Sequence, residues 1–141
     1  MTTRSTNIGR VFEAGQSPVL NDYPVIAADI IYEGSAIGES ASLGYVRPHV
    51  SGDVFCGFAM GKADNSSGAA GDVNVRAIQQ GVVKLTVTGG AVATLNALVY
   101  ASDDDTFTTT AGAHTAIGKI VRHVSGSVVM VAFQAEALQS V

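Results

Sequence analysis

The chain has no tryptophan, a single cysteine, and charge on only 14% of its 141 residues. Each shortage excludes something. With one cysteine, Cys56, there is no internal disulfide, and its setting in Val54-Phe55-Cys56-Gly57-Phe58 reads as a buried thiol, suited to assembly in a reducing cytosol. The opening residues Met1–Arg10 hold no apolar leader core, and no later stretch approaches the roughly 18 continuous apolar residues of a membrane helix. The expectation is a soluble chain with no membrane partner. Asn65-Ser66-Ser67 matches a glycosylation sequon, but without a leader it reads as a polar loop.

Positive charge is scarce as well. Eight Lys and Arg face twelve Asp and Glu, a net of −4, and the arginines at 4, 10, 47, 76 and 122 are scattered singly. Nucleic-acid binding needs a basic stripe that displaces counterions from phosphates, so no nucleic-acid partner is expected. The three histidines, His49, His114 and His123, lie far apart, with no Cys or His at metal-ligand spacing. Glu33-Gly34-Ser35-Ala36-Ile37-Gly38 lacks the Gly-x-Ser-x-Gly spacing of a nucleophile elbow and no helix follows it. Gly68-Ala69-Ala70-Gly71 lacks the strand, helix and lysine of a phosphate loop. Asp103-Asp104-Asp105 is the one carboxylate cluster, yet the strand resumes at Thr106 without the alternating ligands of a calcium loop. No catalytic residue, cofactor or metal site is expected, and the chain reads as a non-enzyme.

What the sequence does contain is 47% hydrophobic residues and 16 glycines in a β pattern. Residues 1–22 mix Thr, Ser, Asn and Gly with isolated apolar positions and read as an extended arm ahead of a single β domain over 23–141. Strands are expected over Val25–Tyr32, Ser42–Arg47, Val54–Met60 and Val73–Ile78. In Val82–Thr88, Val83, Leu85 and Val87 share one face. Lys62–Asp72 has no large apolar side chain and reads as an exposed loop, while Ala91–Ala97 is helix-compatible but short. Leu98–Tyr100 and Thr106–Thr110 flank an acidic turn, and Ser125-Gly126-Ser127 joins two Val/Ile-rich runs as a hairpin. Ala135–Leu138 makes at most one helical turn. The fold class expected is all-β, a small β-barrel or sandwich of about eight short strands with an extended N-terminal arm.

Four stretches in this order carry a resemblance. They are Phe58–Met60 leading into Ala63–Val75, the strand Gly81–Leu85, the segment Leu98–Thr108, and Ile117–Arg122. Over roughly residues 30–134 the chain resembles the cement, or head decoration, proteins of tailed bacteriophages. The resemblance implies a small β-barrel that is made in the host bacterial cytoplasm and oligomerises on the outer surface of the virion capsid. There it bridges neighbouring major capsid protein subunits once the head has expanded. It implies a homo-oligomer, a trimer before a dimer, and carries over no catalytic residue. The chain departs from shorter members in its longer N-terminal segment.

Unpaired backbone groups on an extended arm can add a strand to a neighbour's sheet edge, so Arg4, Ile8, Arg10, Val11 and Phe12 are the candidate interface residues. Deleting residues 1–12 is expected to leave a folded barrel that fails to bind capsids. The competing expectation is a virion or cell-surface carbohydrate- or host-binding β module, against which stands the lack of tryptophan, with four Tyr and five Phe mostly inside strand patterns.

Overall fold

A computed structural model describes residues 4–12, 19–40 and 44–139. Among them the chain is all-β. Its strands are β1 (Leu20–Pro24), β2 (Asp29–Ile31), β3 (Ala36–Glu39), β4 (Val46–Pro48), β5 (Val54–Ala59), β6 (Ala63–Asn65), β7 (Asn74–Ile78), β8 (Gln80–Thr88), β9 (Leu98–Ala101), β10 (Phe107–Thr108), β11 (Thr115–Ser125) and β12 (Val128–Gln134). Single 3₁₀ turns occupy Val92–Thr94 and Glu136–Leu138, so the helix-compatible window at 91–97 forms one turn only.

The strands of the C-terminal half close into a five-stranded barrel in the order β10-β8-β12-β11-β9, with a parallel β10–β8 pair as the closing seam. Alternation explains its interior. Along β8, Val83, Leu85 and Val87 point inward between exposed Lys84, Thr86 and Thr88, and across the sheet Val83 faces Val131 and Leu85 faces Val129. These side chains join Val99, Phe107, Ile117, Ile120 and Phe133 in one buried cluster.

An open five-stranded sheet, β1-β7-β5-β3-β4, packs on the barrel, and a β2–β6 ribbon completes the body. β5 serves both sides of the sheet through a bulge. In strict alternation Phe55 and Phe58 would face opposite ways, yet both belong to the barrel-side cluster, while Cys56 and Ala59 belong to the second cluster with Val25, Ile31, Ile37 and Val75. The pairing with β3 skips Cys56, and Gly57 sits at φ 115°, which places one extra residue in β5 and turns the following side chains over. A Cβ on Gly57 would overlap the Ile78 carbonyl oxygen.

Four expectations need correction. Twelve strands rather than about eight are present among the described residues, because several corners are strands of two to four residues. Lys62–Asp72 is not wholly exposed: β6 buries Ala63 and Asn65, and the Asn65 amide donates to the carbonyls of Val25, Ile26 and Ala69. The boundary between arm and domain at 22/23 falls inside β1, whose Leu20, Asn21 and Asp22 already pair with β7. The run Val25–Tyr32 is likewise broken, since Ala28 takes φ 58° before β2 begins.

Candidate interaction surface

The acidic turn between β9 and β10 gives its three aspartates three different tasks. Asp103 shapes the turn: its Oδ1 accepts from the Asp105 N–H at 2.8 Å and its Oδ2 from the Thr106 hydroxyl at 3.2 Å. Asp104 turns inward and is fully buried. Its Oδ2 accepts from the Arg4 N–H at 2.9 Å and from the Ser35 hydroxyl at 3.4 Å, while Oδ1 has no partner among the described residues. Burial pushes this carboxyl up to about 6, with the Arg4 N–H opposing the shift and the neighbouring Asp103 charge adding to it.

Asp105 points outward and holds the arm. Its two oxygens pair with Arg4 Nη1 at 2.5 Å and Arg10 Nη2 at 2.7 Å. Arg10 is 8% exposed, donates from Nε to the Gly34 carbonyl, and lies 5.8 and 5.7 Å from the ring centres of Phe58 and Phe107. A guanidinium is suited to such a place, since its weakly hydrated planar face tolerates aromatic contact while its edge takes the carboxylate. Further along the arm, Ile8 donates its N–H to the Glu33 carbonyl and crosses Gly34, where a Cβ would overlap it. Phe12 bridges Val83 of β8 and tilts against Phe133 at 6.1 Å.

The candidate residues are therefore not equivalent. Arg4, Ile8, Arg10 and Phe12 are engaged by the chain's own body, and Val11, 51% exposed, is the one that faces outward. Removing residues 1–12 would strip a ring from the core cluster and leave Asp105 without its cations, so a deletion tests folding as much as binding. Sequence reasoning weighed Asp103–Asp105 as an ion site and missed the countercharge, which comes from positions 95 and 101 residues away.

Beside the arm lies a cleft of about 220 Å³, with apolar walls from Ile8, Phe12, Ala59 and Ile78 and with Glu33 and exposed Met60 among its lining. A second apolar surface covers the barrel wall. Val92, Leu95 and Leu98 are exposed there, as are Val121 and Val124 of β11. Hydrogen bonds from Asn96 N–H to the Ile120 carbonyl and from Ile120 N–H to the Ala97 carbonyl fasten the 92–97 turn alongside β11. Exposed aliphatic groups gathered on neighbouring elements make this wall a candidate contact surface.

Other reactive side chains are tied up or isolated. The Cys56 thiol is pushed up to about 12 by burial, which leaves it protonated and a poor nucleophile at neutral pH. His49 is fully buried with its ring edge-on to Phe55, and burial lowers its basicity below the ordinary 6.5 despite the nearby Asp53 charge. The Ser51 hydroxyl lies 2.9 Å from His114 Nδ1 on the surface, a pair that sequence separation concealed, and it also donates to the Ala113 carbonyl. Among the described residues no group of three or more His, Cys, Asp or Glu could hold a metal ion. Compared with models of known protein families and with curated protein sequences, the chain matches none.

Proposed function

We propose that this chain is a non-catalytic virion protein that binds the outside of an expanded bacteriophage head and staples neighbouring major capsid protein subunits. One observation carries the reading beside the resemblance: a charge-poor all-β body gathers five exposed aliphatic side chains on one barrel wall. Each subunit makes a modest apolar contact, and a homo-oligomer, a trimer before a dimer, multiplies it across a capsomer boundary. The arm contributes through Val11 and the exposed Ser5–Asn7 stretch, while Arg4 and Arg10 anchor it from behind.

Add-back of the purified protein to expanded heads that lack it tests the proposal. The protein is expected to co-sediment with the heads and to occupy symmetric positions over capsomer junctions in cryo-EM maps. Val11→Asp is expected to weaken binding about tenfold, a loss of about 1.4 kcal/mol, with the melting temperature unchanged. Binding to glycans on an array without affinity for heads would replace this reading by the carbohydrate-binding one.

A further inference from the structure

Backbone bonds string three fully buried polar residues together at the start of β3. The Ala36 N–H donates to the Asp104 carbonyl, the His49 N–H donates to the Ala36 carbonyl, and Ser35 precedes Ala36. The Asp104 carboxyl is the one of these side chains that meets the arm: its Oδ2 takes the Arg4 N–H, while its Oδ1 is enclosed with no partner among the described residues. The tip of the arm, residues 4–7, has few other ties. The Arg4 guanidinium pairs with Asp105, the Asn7 Oδ1 accepts from the Glu33 N–H at 3.1 Å, and Ser5, Thr6 and Asn7 are exposed. Residues 8–12 are fixed separately, by Ile8 on Glu33, Arg10 on Gly34 and Asp105, and Phe12 on Phe133. Lifting the tip therefore admits water to the carboxyl while the rest of the arm keeps its own anchors.

We propose that Asp104 is a proton-controlled catch for the tip of the arm: the neutral carboxyl lets residues 4–7 lie over it, and the ionised carboxyl drives them off into water. A neutral carboxyl loses little by leaving water, whereas an ionised one enclosed with an oxygen unpartnered is costly. Seated, the group is pushed up to about 6 by burial; with the tip lifted it is hydrated and returns towards the ordinary 3.8. The seated state holds the proton more tightly, so seating is strongest in acid and weakens by about tenfold between pH 5 and pH 7.

The charged groups around the catch come from four places. On its own turn, Asp103 adds to the effect of burial, and Asp105 takes up the Arg4 and Arg10 guanidiniums of the arm. From the corner before β3, the Ser35 hydroxyl donates to Asp104 and Glu33 lines the cleft beside Arg10. After β4 stands His49, with Asp53 and its partner Arg47 beyond it, and burial keeps that imidazole neutral above 6.5.

Trypsin cleavage after Arg4, followed by mass spectrometry on the full-length protein, reads the lifted tip, with a synthetic peptide of residues 1–12 as the reference at each pH. Relative to the peptide, the wild type is expected to be cut about tenfold faster at pH 7 than at pH 5. Asp104→Asn should be cut at the same relative rate at both. Asp105→Asn, which frees both guanidiniums, should be cut faster at both while keeping the tenfold ratio. In the wild type, the Arg4 amide resonance should move with the same midpoint, near 6, as the Asp104 carboxyl carbon. A wild-type ratio near one, a ratio that survives in a folded Asp104→Asn, or an Arg4 amide that ignores the Asp104 titration overturns the catch. The catch needs no partner, so it stands or falls apart from the capsid proposal.

Discussion

The barrel and the open sheet solve the same problem in different ways. Barrel strands come from residues 80–134, most neighbours are close in sequence, and closure leaves little strand edge to satisfy: where the two-residue β10 stops short on β8, the Lys84 N–H donates to the Val11 carbonyl of the arm. Its interior is aliphatic and aromatic. The sheet draws on segments as far apart as β1 and β7, ends in two edges, and buries polar side chains that stitch its corners. Asp53 takes both Arg47 nitrogens at 3.0 and 2.8 Å and the Val50 N–H at 3.1 Å, Asn65 ties three carbonyls, and Gln79 bonds the Tyr23 hydroxyl. The barrel's remaining backbone groups are met by other backbone, from the arm and the 96–97 turn, whereas the open sheet adds buried side-chain bonds at its corners.

The largest effect is expected where the two regions share a residue. Phe58 belongs to the sheet, yet its ring lies 4.9 Å from Phe133 and 6.0 Å from Phe107 of the barrel. Phe58→Ala is expected to cost about 3–5 kcal/mol in urea unfolding and to lower one common transition. Two separated transitions would show instead that barrel and sheet are independent units.

Next in size is a contrast in pH response. Asp104, at the barrel's turn, titrates near 6 in the folded protein against an ordinary 3.8, so the fold holds the proton more tightly than the unfolded chain does. Its contribution is full below 3.8 and is lost as pH rises through 6, a change of about 2–3 kcal/mol. His49, beside the sheet, has the opposite sign: with its folded value lowered, its contribution is full above 6.5 and drains away as pH falls below that. Asp104→Asn should therefore raise the melting temperature at pH 7.5. It should also remove the gain in stability between pH 7 and 5, leaving the fall caused by His49. An unchanged pH profile in that variant would contradict the buried, proton-holding carboxyl.

The smallest effect is expected at the β1 edge. Asp22 and Arg76 pair at 2.9 Å but stand in solvent, so Arg76→Ala should leave the melting temperature within error, in contrast to the enclosed Arg10–Asp105 pair.

The same contrast governs how much could be read from the sequence. Val83, Leu85 and Val87 alternate cleanly and the Ser125–Ser127 turn lies between two apolar runs, so the β8 strand and the β11–β12 hairpin were evident. β3 and β6 were not, because Ala36–Glu39 and Ala63–Asn65 hold too few large apolar residues to show a period, and Asn65 acts through its amide. At the interaction surface, the arm residues were identifiable as unusual but their partners were not. No pattern along the chain links Arg10 to Asp105, and exposure of Leu95 or Val121 is decided by which strands lie beside them.

The placing of the arm also sets an order of events during synthesis. Its seat is built from Glu33–Gly34, Val83–Lys84 and Asp104–Asp105, so the segment 4–12 leaves the ribosome well before its last anchor exists. At about 5–20 residues per second, the intervening roughly 100 residues take about 5–20 s. For that interval the arm lacks its ionic anchors, and the acidic turn at 103–105 is the latch that completes its seat.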